Sequence, residues 1–227
     1  MSATPKFSPK MVLFDLDGTL VDSVPDLHFC VNGMMAELGM PERSEEAVRT
    51  WVGNGVERLV ERALTNDLDG HPDADLFAKA LPIFKRLYAE NTSGRSVVYP
   101  GVIEGLNHVR KAGYPIGCVT NKAAAFTIPL LKAKGLHDLF EVIISGDTLP
   151  VKKPDPGPLF YAAGWFRVNP REALMIGDSK SDVKAARAAG FSIICVSYGY
   201  NHGEDIRNYQ PDAVIDSMTE LQNLIEG

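Results

Sequence analysis

Short apolar runs that end in polar, glycine-containing turns alternate along most of this chain with segments of helical spacing, and one stretch breaks the alternation. The first run, Lys10-Met-Val-Leu-Phe-Asp-Leu-Asp-Gly-Thr, begins apolar and stops at Asp-Gly, the pattern of a buried strand meeting a turn. From Pro25 to Thr92 helical spacing takes over. Leu27, Val31, Met34, Met35 and Leu38 share one stripe, which Gly39 and Pro41 end. A second helix is expected from Ser44, where Ser-Glu-Glu-Ala makes a capped, acidic first turn. A third is expected over 56–64 and a fourth over 76–91 in spite of Pro82. After Pro100 the spacing predicts helices over 102–112, 123–134, 156–166, 182–189 and 218–225. Between them it predicts strands over 115–120, 142–145, 173–176, 192–196 and 213–215.

Strands that alternate with helices pair in parallel, because parallel neighbours need crossover connections. The expected fold is therefore α/β, a Rossmann-like parallel sheet core with helices on both faces and an inserted all-helical cap domain. The core would be discontinuous, 1–22 and 93–227, with the cap at 23–92. There is no internal repeat and no low-complexity segment.

Composition narrows the function classes. The 23 Lys+Arg against 29 Asp+Glu give a net charge of −6, which argues against a nucleic-acid surface, and 45% hydrophobic residues suffice for a sizeable core. Cys30, Cys118 and Cys195 lie far apart without Cys-x-x-Cys spacing, which disfavours a disulfide scaffold and a zinc site and suits a reducing cytoplasm. The first ten residues are polar, with two prolines and no apolar h-region, and no run approaches the length of a membrane span. A cytoplasmic protein without membrane or nucleic-acid partners is expected, a monomer by default, with a dimer left open by cap residues such as Trp51.

In open α/β sheets ligands bind beyond the carboxyl ends of the strands, so the polar residues there are the candidates. The first strand ends in Asp15-Leu-Asp17-Gly-Thr19 and the second in Thr120-Asn121-Lys122. The segment after the third holds Lys152-Lys153-Pro154, and the fourth strand ends in Gly177-Asp178-Ser-Lys-Ser-Asp182. Asp15 and Asp17, two apart, can address one small volume, with Gly18 permitting the sharp departure. A carboxylate-rich pocket without His or Cys suits a hard cation, Mg²⁺ where phosphate supplies further oxygens, with Asp15 and Asp178 as side-chain ligands. Asp15 can also attack phosphorus, and Asp17 can then serve as acid and base for the leaving alkoxide and the attacking water. Lys153 and the Thr120 hydroxyl would neutralise the non-bridging oxygens. A lone Asp-Gly is a turn and a lone Gly-Asp-Ser a helix start. Four such features in order, each at a strand end, make one site.

These four segments resemble the motifs of the haloacid dehalogenase-like phosphohydrolases nearly end to end. The resemblance implies Asp15 as nucleophile, Asp17 as general acid/base, and Mg²⁺ held by the carboxylates of Asp15 and Asp178 and the backbone carbonyl of Asp17. It implies phosphate binding through Gly18, Thr19, Thr120, Asn121 and Lys153, and Asp182 as the residue that orients Lys153 and water. The helical insertion resembles the family's small-cap subclass. Asp17-Gly-Thr-Leu-Val-Asp-Ser23, Trp51-Val-Gly-Asn-Gly55, Lys153-Pro-Asp-Pro156 and Gly199-Tyr-Asn-His-Gly203 are similar to segments of the bacterial phosphoglycolate phosphatases. Lys180 stands where many relatives have Arg.

The expected activity is hydrolysis of a small anionic phosphate ester, 2-phosphoglycolate first. A phosphosugar, pyrophosphate, a sugar-phosphate mutase reaction, or a non-catalytic phosphate-binding module remain as alternatives, with Thr19 favouring hydrolysis over mutase chemistry. Gly53-Asn-Gly55 lacks the third glycine of a dinucleotide fingerprint and is read as a cap loop facing the site, with Arg58 as a candidate for the substrate's anionic group. The five histidines show no ligand spacing and are read as structural or surface residues, and Asp22 as a hinge or a helix cap, the cap preferred.

Overall fold

The computed structural model describes residues 6–226; the first five residues of the polar lead and Gly227 lie outside it. Strand β1 (Met11–Phe14) has all four side chains buried. Val12 and Phe14 belong to one apolar cluster and Met11 and Leu13 to another, so the two-residue period of a strand feeds both faces of the sheet. That is why the run is apolar without alternation. The chain then crosses a two-residue strand, β2 (Val21–Asp22), into four helices: α1 (Val24–Glu37), α2 (Glu45–Trp51), α3 (Val56–Thr65) and α4 (Ala74–Glu90). It returns through β3 (Val97–Val98), antiparallel to β2.

The remaining elements alternate: α5 (Val102–Lys111), β4 (Ile116–Val119), α6 (Ala124–Ala133), β5 (Val142–Ile144), α7 (Gly157–Phe166), β6 (Ala173–Gly177), α8 (Lys180–Ala189), β7 (Ser192–Val196), β8 (Ala213–Ile215) and α9 (Leu221–Leu224). The main sheet has the order β5-β4-β1-β6-β7-β8 and every pair is parallel. Helices α5, α6 and α9 cover one face through Leu106, Val109, Leu130, Leu131 and Leu221. Helices α7 and α8 cover the other through Leu159, Ala162, Val183 and Ala186. This is the expected Rossmann-like core with an inserted helical cap.

The four inserted helices bury an apolar cluster of their own, including Val31, Met34, Trp51, Val60, Phe84 and Tyr88, closed against the core by Phe126 and Tyr200. Trp51 packs inside this cluster. On α1, the fully buried Asp26 carboxylate accepts hydrogen bonds from the backbone N–H of Arg95 (2.9 Å) and Ser96 (2.7 Å) and from Ser96 Oγ (2.5 Å). It ties the outgoing helix to the returning chain.

Two local expectations need correction. The β2–β3 ribbon was not foreseen, because two-residue strands are too short to carry a period. The single helix expected over 218–225 is a 3₁₀ turn at Met218–Glu220 followed by the short α9, begun by a capping box between Ser217 and Glu220. It stops because Ile225 pairs with Phe7, whose N–H donates to the Leu224 carbonyl at 2.7 Å. Among the described residues no helix is long and apolar enough to cross a membrane.

Candidate active site

The side chains that converge come from loops at the carboxyl ends of β1, β4 and β6 and from the segment after β5. The Asp15 N–H donates to the Ile176 carbonyl (2.9 Å) and the Thr120 N–H to the Ile144 carbonyl (2.9 Å), so each strand carries its polar residue one step beyond the last apolar one. After Asp15 the chain turns on itself, with the Leu20 and Val21 N–H groups bonded to the Leu16 carbonyl. Gly18 sits at φ +84° in that turn, a conformation that disfavours any side chain, and a Cβ there would collide with the Asp178 carboxylate. Gly199 meets the other side of Asp178 equally closely.

Asp15, Asp17, Thr120, Asn121, Lys153 and Asp178 line one cavity of about 70 Å³. The Lys153 ammonium is buried and uses three directions: the Val119 carbonyl (2.7 Å), Asp182 Oδ1 (2.7 Å) and Asp15 Oδ1 (2.8 Å). Burial alone would lower its pKa, but the two carboxylates outweigh this and the net shift is upward. Thr120 Oγ1 accepts from the Lys122 N–H (3.1 Å), which leaves its proton free for a ligand. Asp178 Oδ1 accepts from Thr19 Oγ1 (2.8 Å) and Oδ2 from the Tyr200 N–H (2.5 Å). Asn121 Nδ2 donates to the Lys153 carbonyl (2.8 Å).

Burial raises the Asp15 carboxyl to about 7, against the lowering pull of Lys153, and burial together with Asp182 and Asp15 raises Asp178 well above the ordinary carboxylate range. Carboxyl oxygens of Asp15, Asp178 and Asp182 lie within 4.8 Å of one another. Asp182 is already spent, since it binds Lys153 and accepts from the N–H of Asp178 (3.3 Å) and Ser179 (3.0 Å) and from Ser179 Oγ (2.7 Å). Asp15 Oδ1 has no well-formed hydrogen bond despite its nearness to Lys153. Two raised carboxylates with oxygens within 4.8 Å of each other offer the hard oxygen ligands that suit a hard divalent cation.

A family model described as haloacid dehalogenase-like hydrolase matches residues 12–196. The chain belongs to that family. A phosphoglycolate phosphatase of Nitrosococcus oceani is 63% identical over 217 residues, 96% of either chain. One of Pseudomonas syringae pv. tomato is 50% identical across 96% of this chain and 79% of its own length. A crystal structure described as a predicted phosphoglycolate phosphatase of Haemophilus somnus has a TM-score of 0.89 at 36% identity, covering 94% of this chain and 96% of that one.

In this haloacid dehalogenase-like hydrolase the cap side of the cavity is formed by Leu27, Val52, Val56, Leu59 and Tyr88 and by the loop Gly53-Asn54-Gly55. Arg58 does not join it. Its guanidinium turns to Glu61 and to the carbonyls of Leu68 (3.0 Å) and Gly70 (3.2 Å), so it ties the first turn of α3 to the loop that follows the helix. Buried Arg62, unremarked in the sequence, instead supports the cavity loop through the carbonyls of Trp51 (2.6 Å) and Gly53 (3.3 Å). Asp22 does accept from the Val24 N–H (3.3 Å), but it also pairs with both terminal nitrogens of Arg49 (3.1 Å each) and with the Tyr200 hydroxyl. His202 lines the cavity and donates from Nδ1 to the Thr50 carbonyl (2.8 Å), joining the core loop to the cap.

Sequence reasoning assigned no role to Lys122. Its buried ammonium reaches Asp17 Oδ1 (2.9 Å) and Oδ2 (3.1 Å) and sits 4.9 Å from the centre of the Tyr88 ring. The signal was its place directly after Thr120-Asn121, but a lysine in a loop is ordinarily solvated. Tyr88, in the apolar stripe of α4, was indistinguishable from core.

Proposed function

We propose that this chain is a Mg²⁺-dependent phosphomonoester hydrolase that acts through an aspartyl-phosphate on 2-phosphoglycolate, releasing glycolate and phosphate. The observation that carries the chemistry is the set Asp15, Asp17, Thr120, Lys153 and Asp178 around one small cavity beyond adjacent parallel strands. The substrate rests on the 63% identity to a protein named phosphoglycolate phosphatase, supported by a cavity of only about 70 Å³.

Phosphatases of this family generally use Mg²⁺. Asp15 and Asp178, with the carbonyl of Asp17, would hold it here, where it would offset charge on the phosphoryl oxygens and the nucleophile. Asp15 attacks phosphorus as the ester oxygen departs with a proton from Asp17. Water then attacks the aspartyl-phosphate, gives its proton to Asp17, and frees phosphate and the Asp15 carboxylate. Lys153 and the Thr120 hydroxyl face the non-bridging oxygens, Gly18, Thr19 and Asn121 shape the phosphate-binding loops, and Asp182 holds Lys153 in place. Apolar side chains from three cap helices, Leu27 on α1, Val56 and Leu59 on α3 and Tyr88 on α4, exclude bulk water from the reacting atoms. The three buried thiols fit a reducing cytoplasmic location.

The deciding experiment measures phosphate release from a panel of esters with and without Mg²⁺. The expected result is the highest kcat/KM for 2-phosphoglycolate and no turnover in excess chelator. A higher kcat/KM for a phosphosugar or pyrophosphate would overturn the substrate and leave the site; no hydrolysis of any ester would overturn both.

A second prediction concerns stability. Because Asp15 and Asp178 have raised pKa values, the folded state holds their protons more tightly than the unfolded chain does. Their contribution is fully present below the unfolded value of 3.8 and is lost as pH rises through about 7 for Asp15. In metal-free protein the two carboxylates are then charged, buried and mutually repelling. Mg²⁺ should therefore raise the thermal midpoint more at about pH 8 than at about pH 5.5, measured by calorimetry. An equal or smaller rise at the higher pH would count against these two residues as the ligands.

A further inference from the structure

Most polar groups on the cavity wall are committed. Lys153 has two hydrogen bonds and an ion pair with Asp15, the Tyr200 hydroxyl is bound to Asp22, His202 Nδ1 to Thr50, Ser179 Oγ to Asp182 and Asn121 Nδ2 to the Lys153 carbonyl. Among the buried side chains of the wall, Thr120 keeps its proton for the phosphoryl oxygens, and two further donors stand apart. The Tyr88 hydroxyl is fully buried and has no well-formed hydrogen bond, with the Lys122 ammonium as its near neighbour. A buried hydroxyl left so costs about 1–3 kcal/mol and calls for an explanation. The Lys122 ammonium, against Tyr88, makes its well-formed hydrogen bonds only to the Asp17 carboxylate, and three donors facing two oxygens leave one N–H for a ligand.

Their position matters as much as their state. Asp17 must lie within hydrogen-bond reach of the ester oxygen that it protonates. Whatever that oxygen carries therefore lies beside Lys122, which is 2.9–3.1 Å from Asp17. In a phosphoryloxy acid the carboxylate is one methylene from that oxygen, so it cannot reach far.

Other cations do not compete. Arg58 and Arg62 are held by carbonyls, and Lys152, which does not line the cavity, donates to the Asn54 carbonyl (3.1 Å). Burial lowers the pKa of His202, which favours its neutral form. Asn121 Oδ1 and Asp15 Oδ1, the other wall atoms without a well-formed hydrogen bond, are acceptors and cannot receive an anion.

We infer that Lys122 and Tyr88 form the subsite for the carboxylate of the leaving group, the Lys122 ammonium pairing with it and the Tyr88 hydroxyl donating to it. This rests on the proposed phosphoglycolate reading and names the residues that make the choice. Because Lys122 follows β4 and Tyr88 lies on α4, the carboxylate also bridges core and cap, and the acid group draws the cap onto its own ester. A neutral leaving group would leave the ammonium without its second partner and the hydroxyl unpaired, the arrangement by which a polar site rejects an analogue.

The test compares 2-phosphoglycolate with 2-hydroxyethyl phosphate, which has CH₂OH in place of the carboxylate, in wild type, Lys122→Met and Tyr88→Phe at saturating Mg²⁺. Lys122→Met should lower kcat/KM for the acid on the order of 10²-fold more than for the neutral ester, and Tyr88→Phe about tenfold more. Loss of the Asp17 contact in Lys122→Met affects both esters, so the ratio isolates the carboxylate. Tyr88→Phe removes a hydroxyl that has no well-formed hydrogen bond, so its thermal midpoint should change little, and it keeps the inference testable if Lys122→Met does not fold. Equal losses on both esters would overturn the subsite. A wild-type preference for the acid that survives both substitutions would leave the substrate reading standing and remove the Lys122 and Tyr88 assignment. A wild type with no preference for the acid would overturn both.

Discussion

Asp15→Asn is expected to reduce kcat by on the order of 10⁴-fold or more while the protein remains folded. The amide has the shape of the carboxylate but neither attacks phosphorus nor offers a second anionic oxygen to a cation. Stability should change little, because Lys153 keeps its hydrogen bonds to Asp182 and to the Val119 carbonyl. Circular dichroism melts would check the fold, and an acid quench with ³²P-labelled substrate would check the chemistry. Wild type should carry covalent label and Asp15→Asn none. Labelled Asp15→Asn protein would mean that another residue attacks phosphorus.

The second large effect is at Lys153, where Lys153→Met is expected to damage stability and activity together. The side chain is 2% exposed and neutralises Asp15 and Asp182 at 2.8 and 2.7 Å. Asp182 is itself wholly buried, and its other partners are neutral. Removing the cation leaves two buried carboxylates facing each other, a loss of about 3–5 kcal/mol. For a chain of this size that lowers the thermal midpoint by about 6–20 °C. The loss should shrink at acid pH, where Asp15 is protonated, because its pKa is already raised to about 7 by burial with the cation present. Lys153→Arg should recover part of the stability and less of the activity, since a planar fork does not reproduce three tetrahedral directions. An unchanged midpoint for Lys153→Met would show that the buried network is not what holds these loops.

The parallel sheet and its polar strand ends were legible because each signal is local. A buried strand needs an uninterrupted apolar run, and the residue after it is the first that can be polar, so Asp15, Thr120 and Asp178 announce themselves at the ends of Met11–Phe14, Ile116–Val119 and Ala173–Gly177. The helical insertion was legible for the same reason, through a stripe of 3.6-residue period in α1 and a capped start at Ser44, whose hydroxyl accepts from the Ala47 N–H at 3.1 Å. Arg58 was misread because nearness in sequence to a cap loop says nothing about the direction of a long side chain on the next helix. It found Glu61 three residues on, the partner helix geometry offers first.

What the residues alone determined about this protein is the set of groups that meet at the strand ends and the family to which they belong, because periodicity and motif spacing are properties of the chain itself. The tertiary structure decided how those groups are satisfied. Asp182 is consumed by Lys153 and two backbone N–H groups, Asp15 and Asp178 are left with raised pKa values, Lys122 is paired with Asp17, and the Tyr88 hydroxyl beside it has no well-formed hydrogen bond. Burial and hydrogen-bond partners depend on elements far apart in the chain, Tyr88 on a cap helix and Lys122 after a core strand, and no local pattern encodes that they share one wall.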